Sequence, residues 1–180
     1  LTTFQSTRSK QTTTTLDLIQ TAMMIGLVFS ATAFLSIKLP IAANGGLVHL
    51  GSAMLFIVAI LFGPKKGALA GAIGMGLFDV LGGWLLWSPI TLVARGLQGY
   101  IIGKIAHGAS RRGRHTGWNI VGMLVSIPVM LVVYYIGEGI LYGLWLAPLA
   151  SIPGNIVQNF LGVAIAIPVC LALRNVRYFR

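Results

Sequence analysis

Eleven of the chain's thirteen Lys and Arg residues gather on one side once its apolar runs are laid out as membrane spans. They are Arg8, Lys10, Lys65, Lys66, Lys104, Arg111, Arg112, Arg114, Arg174, Arg177 and Arg180, which leaves Lys38 and Arg95 elsewhere. Short loops rich in Lys and Arg are retained in the cytoplasm. An even number of spans with both ends inside is the simple arrangement that satisfies all eleven. The chain has the material for such spans, because 56% of its 180 residues are hydrophobic and 9% are charged, against roughly a quarter charged in soluble domains. A net charge of +10 would suggest nucleic acid in a soluble chain. Placed at span ends it reads instead as topology and attraction to anionic membrane lipid, with no nucleic-acid partner.

Breaker residues divide the apolar runs into six spans, at about 16–37, 49–63, 67–86, 89–107, 117–143 and 152–173. Pro40 and Gly45-Gly46 mark an outer loop over 38–48, and Gly63-Pro64-Lys65-Lys66 a tight inner turn. Pro128 interrupts the fifth span, while Ser151 and Pro153 suit the cap and first turn of the sixth. The fold predicted is an all-α integral membrane protein of six transmembrane helices with both termini cytoplasmic. Its membrane domain covers 16–174, between a Thr-rich disordered tail at 1–15 and a basic tail at 175–180. Asp17 suits the positive end of the first helix dipole. Trp84, Trp87, Tyr142 and Trp145 mark the outer edge, and Trp118, Tyr178 and Phe179 the inner one. Cys170 is alone, which excludes an internal disulfide and a cysteine metal cluster; it reads as a small apolar residue of the last span.

Small residues recur four apart: Ala22, Gly26 and Ser30 in span 1, Gly67 and Gly71 in span 3, Gly99 and Gly103 in span 4, Gly162 and Ala166 in span 6. Such rows let helix backbones approach where packing must hold helices together, and most are expected to pack internally.

Asp79, Arg95 and Glu138 fall inside spans 3, 4 and 5. A charge at the bilayer centre costs about 2.5–3.5 kcal/mol on insertion scales. Counting from Trp84, Pro89 and Gly143 at ~1.5 Å per residue, each lies roughly 7–10 Å below the outer end of its helix. Three charges at one depth suggest a single polar pocket open to the outside. Asn155, Gln158 and Asn159 share a face of span 6 at that level. Tyr134, Tyr135 and Tyr142 flank Glu138, and His49 opens span 2 beside a loop containing Asn44. The candidate substrate residues are therefore Asn44, His49, Asp79, Trp84, Arg95, Tyr135, Glu138, Asn155, Gln158 and Asn159. Carboxylates, an Arg, amides and aromatic faces fit a small polar heteroaromatic molecule. The competing reading of the charges is an Asp79–Arg95 pair that merely locks two helices, and of His49 a plain interfacial residue. H-E-x-x-H, G-x-S-x-G and P-loop motifs are absent, so neither an enzyme, a metal site nor a cofactor is expected. His107 and His115 are expected to be solvated.

The segments at 45–83 (GGLVHLGSAMLFIVAILFGPKKGALAGAIGMGLFDVLGG), 89–105 (PITLVARGLQGYIIGKI), 134–143 (YYIGEGILYG) and 152–162 (IPGNIVQNFLG) resemble the substrate-binding S component of energy-coupling factor (ECF) vitamin transporters. The resemblance covers roughly 16–174, and FGPKKGALAG is its more specific string. It implies six helices in a bacterial plasma membrane, a substrate held near the outer face by loop 1 and helices 4 to 6, and no ATPase of its own. It also implies as partners a transmembrane coupling subunit (T component) and two cytoplasmic ATPases. The first-helix row that meets the coupling subunit would be Ala22, Gly26 and Ser30, where the family usually shows Ala. The branch resembled is linked to pantothenate, pyridoxine and hydroxymethylpyrimidine, and the pocket chemistry favours the last two. Pantothenate would use Arg95 for its carboxylate. A structural membrane scaffold of similar six-helix topology is the alternative of another class; it would need no polar pocket.

Overall fold

The computed structural model describes residues 2–34, 36–38, 47–174 and 176. Among these residues six α-helices follow one another: α1 (Thr2–Phe34), α2 (Gly51–Phe62), α3 (Pro64–Leu81), α4 (Ser88–His107), α5 (Thr116–Tyr142) and α6 (Ile152–Leu173). Between α1 and α2 two short strands, β1 (Ser36–Lys38) and β2 (Leu47–His49), pair antiparallel with Ser36 opposite His49. The sequence reading gave this stretch to the end of span 1 and a loop. The helix stops at Phe34 and the chain turns to strand pairing, which satisfies backbone groups that no helix serves.

Among the described residues, three segments are long and apolar enough to cross a membrane: Thr15–Phe34, Thr116–Tyr142 and Ala147–Leu173. At 12 residues α2 is about 18 Å long, short of a bilayer core. It is apolar on every side and lies at the centre, with Leu55, Phe56 and Ala59 fully buried. Around it pack Val28 of α1, Met75 of α3, Ile102 of α4, Met123 of α5 and Ala166 and Cys170 of α6. Cys170 is thus the core residue its surroundings in sequence suggested.

The α3–α4 contact depends on glycine. A Cβ on Gly71 would lie 2.7 Å from the Arg95 carbonyl oxygen, and one on Gly67 would lie 3.0 Å from that of Gly99. Two backbones therefore touch along this seam, which fixes the height of Arg95 on α4. At the far end of α3, Gly83 with φ of +86° lets the chain reverse before Trp84. The helix accordingly ends at Leu81 and not near residue 86.

One end of the bundle carries the hairpin, the other the basic residues. At the basic end, His107 Nε2 donates to the Ile60 carbonyl at 2.9 Å. That carbonyl is in the last turn of α2, where intrahelical partners run out. His107 is therefore a cap, not a solvated side chain. Arg174 Nη1 donates to Thr116 Oγ1 at 3.0 Å and its Nη2 to the Gly113 carbonyl at 3.1 Å, tying α6 to the α4–α5 loop. Asp17 is not at a helix start, because α1 extends back to Thr2 through the segment assigned to a disordered tail. Continuing an established helix costs far less than nucleating one. Asp17 instead pairs with Lys66 Nζ at 2.8 Å, joining α1 to α3.

Candidate functional site

Arg95 is the charge around which the hairpin end is organised. It lies on the inward stripe Thr91, Arg95, Gln98 of α4, spaced i, i+4, i+7, and is 3% exposed. Its Nη1 donates to Gln98 Oε1 at 2.9 Å and to Ser52 Oγ at 3.3 Å. Gln98 Nε2 donates to Asn159 Oδ1 at 2.7 Å, and Asn159 Nδ2 to the Asn155 carbonyl at 2.7 Å. Gln158 Nε2 donates to Ser52 Oγ at 2.8 Å and lies 3.5 Å from His49 Nε2. One polar layer thus joins α2, α4, α6 and the end of β2. The Tyr134 ring of α5 sits 5.4 Å from the guanidinium, and its hydroxyl is 2.9 Å from that of Thr91. Asp79 of α3 engages Thr91 and lies within electrostatic reach of Arg95.

A second layer begins one turn further along α5. Glu138 is buried, and its Oε2 accepts a hydrogen bond from Ser151 Oγ at 2.8 Å. Trp87 also reaches this carboxylate. The Trp87 ring meets Trp84 edge-on at 5.4 Å and Tyr142 at 6.0 Å, while Tyr135 packs on Trp145 at 6.0 Å. Carboxylate and aromatic faces are thereby placed next to the Arg95 layer.

Magnitudes rank these contacts. Neutral side-chain hydrogen bonds between membrane helices average about 0.6 kcal/mol, whereas bonds to a charged group contribute about 1.5–3 kcal/mol. The bonds of Arg95 dominate its layer, and the amide pairs mainly fix orientation.

The residues singled out from sequence divide between the layers. His49, Asp79, Arg95, Gln158 and Asn159 meet around Arg95, and Asn155 joins through its carbonyl. Glu138 and Trp84 belong to the aromatic layer. Tyr135 turns to Trp145, and Tyr134 takes the place against Arg95. Asn44 lies outside the described residues. Arg95 holds groups of several helices, so it is more than half of an isolated Asp79–Arg95 lock. Sequence reasoning missed Ser52, Thr91, Gln98 and Ser151. The α4 stripe could have revealed Thr91 and Gln98 at helical spacing from Arg95, and Ser52 follows His49 by three. Away from both layers, Ala22, Gly26 and Ser30 all face outward from α1, and a Cβ on Gly26 would meet nothing within 4 Å.

Comparison with known proteins bears on this arrangement. A protein of Pyrococcus woesei, described as an uncharacterized protein in a gap 3' region, is 35% identical over 124 residues, covering 69% of this chain and 74% of its own length. Thiamine precursor transporter HmpT of Lactococcus lactis subsp. cremoris (strain MG1363) is 28% identical over 122 residues, covering 68% of this chain and 66% of its own. The solved structure described as that of the S component of a bacterial ECF transporter shares the fold, with a TM-score of 0.66 at 21% identity over 88% of this chain and 95% of that one. Residues 12–175 match the family described as ECF-type riboflavin transporter, S component. With nearly its whole length matched, the chain belongs to this family of membrane transporter S components.

Proposed function

We propose that the chain is the substrate-binding subunit of an ECF-type importer for a small water-soluble vitamin or vitamin precursor, hydroxymethylpyrimidine or pyridoxine. It crosses the cell membrane six times with both termini in the cytoplasm, so that the hairpin end faces outward. The observation that carries this reading is the buried polar layer on Arg95. A charge placed among membrane helices is costly and marks a substrate pathway more often than a structural need. A scaffold would gain nothing from it. The aromatic layer beside it offers ring faces to a planar heteroaromatic. The thiamine precursor transporter among the relatives favours the same class of cargo. Energy would come from ATPases reached through a coupling subunit, for which the outward Ala22–Gly26–Ser30 row is the docking strip.

The test is the purified chain in detergent. Mass spectrometry of co-purified small molecules is followed by calorimetric titration with hydroxymethylpyrimidine, pyridoxine, pantothenate and riboflavin. Tight binding of hydroxymethylpyrimidine or pyridoxine is the result expected. Tight riboflavin or pantothenate binding would overturn the cargo assignment, and no vitamin binding at all would overturn the function. For the topology, Arg114→Cys labelled by an impermeant reagent from outside intact cells would refute the orientation.

A further inference from the structure

Among the described residues, the buried side-chain atoms at the hairpin end without a hydrogen-bond partner include His49 Nδ1 and Asp79 Oδ2. Both groups lie within electrostatic reach of Arg95, so both belong to its layer. They differ in what they demand. A histidine nitrogen can donate or accept according to tautomer, whereas an ionised carboxylate oxygen can only accept. The Asp79 carboxylate is already anchored to Thr91. Its backbone carbonyl accepts the Trp84 N–H at 2.7 Å, which fixes the last turn of α3 under the Trp84–Trp87 pair. Oδ2 is thus a held acceptor, dry and without a donor. Leaving such a group unpaired is costly, and a ligand that supplies the donor recovers that cost.

We propose that Asp79 is the specificity-determining residue of this site, its Oδ2 accepting a hydrogen bond from an amino group on the substrate's heteroaromatic ring. This rests on the reading of the chain as a vitamin-binding subunit and sharpens it. A ring amino group conjugated into an azine is donor-only, so it brings no lone pair of its own into the dry site. A ring hydroxyl would bring one. A carboxylate-bearing vitamin is disfavoured because it would add negative charge near Asp79 and Glu138. The class selected is an aminopyrimidine without a carboxylate.

The experiment is a two-by-two cycle read by calorimetry on the full chain in detergent. Wild type and Asp79→Asn are each titrated with hydroxymethylpyrimidine and with the analogue bearing hydrogen in place of the ring amino group. Wild type should prefer the amino compound by roughly tenfold to a hundredfold, the range for a hydrogen bond to a charged group. Asp79→Asn should lose most of that preference, because the variant can present a donor where the ligand also donates. Equal binding of the two pyrimidines by wild type overturns the proposal without recourse to any variant. So does an undiminished preference in Asp79→Asn. Failure of wild type to bind either pyrimidine while binding another vitamin overturns the Asp79 assignment and leaves the transport reading standing; failure to bind any vitamin overturns both.

Discussion

The same sequence signature, small residues four apart, has opposite fates in two parts of this molecule. On α3 and α4 it is spent internally: Gly67, Gly71 and Gly99 bring two backbones into contact, and a Cβ at any of them would strike the facing helix. On α1 it is left open: Ala22, Gly26 and Ser30 point away from the bundle, with nothing within 4 Å of a Cβ on Gly26. In lipid no hydrophobic gain drives helices together, so close packing must. A small-residue row permits close approach of another backbone. Whether that backbone is in the same chain depends on which face the rest of the helix buries. On α1 the buried face is Met24, Val28, Ala31 and Thr32, and the small row lies off it.

The largest effect is expected at the seam. In Gly99→Val the new side chain meets the backbone of Gly67, which cannot rotate away. Overpacking of a close-packed interior costs about 1–3 kcal/mol and occasionally more, and here the obstruction is main chain. The variant should lose monodisperse folded protein, or unfold at clearly lower temperature in detergent. If its unfolding matched that of the wild type, the internal half of the comparison would fail.

Next in size is Arg95→Ala, whose consequences separate. Removing the charge relieves a membrane cost of about 2.5–3.5 kcal/mol. It also removes bonds to Gln98 and Ser52 worth about 1.5–3 kcal/mol each. Gln98 retains Asn159, and Ser52 retains Gln158. Set against each other, these terms leave a net loss of stability of about 0–3 kcal/mol, while vitamin affinity falls roughly tenfold to a hundredfold. A variant that loses affinity only in proportion to a larger loss of stability would make the Arg95 layer a structural lock first.

How much of this was legible beforehand differs by kind of evidence. The helix count and most boundaries followed from breaker residues whose effect is local, such as Pro64, Pro89 and Gly143. The β1–β2 hairpin was not legible, since three-residue strands carry too little pattern to separate from a loop. Arg95, Asp79 and Glu138 stood out because charge in an apolar run is costly wherever it sits. Ser52, Thr91 and Gln98 did not, because a hydroxyl or amide in a membrane helix is common and its role depends on which residue faces it from another helix. For the same reason Tyr134 and Tyr135, adjacent in sequence, could not be told apart until the neighbours Arg95 and Trp145 were placed.

A smaller effect belongs to the attachment of α1 at the basic end. The Asp17–Lys66 pair is short at 2.8 Å, but the Asp17 side chain is 67% exposed. Exposed pairs contribute about 0–1 kcal/mol and are screened by salt. Lys66→Ala should therefore lower the unfolding temperature only slightly, and less so in high salt. A large drop would mean that α1 is held to α3 chiefly by charge, and that its outward row is free to reorient.

The smallest effect on the isolated chain is expected at Gly26, and that smallness is the point. Gly26 lies on the outward face of α1, remote from the Arg95 and Glu138 layers, and open space surrounds it. Gly26→Trp should leave unfolding temperature and vitamin affinity within error of the wild type. Yet a Trp there would fill the shallow groove that three small side chains make along the helix, where a partner helix needs close approach. Co-purification with the coupling subunit and vitamin uptake by cells should both be lost. The paired measurement distinguishes the two fates of the small-residue row directly. Loss of vitamin binding together with assembly would place the row in internal packing, like the α3–α4 seam. Normal assembly and uptake would leave the row merely facing lipid, with the coupling surface to be sought elsewhere on the chain.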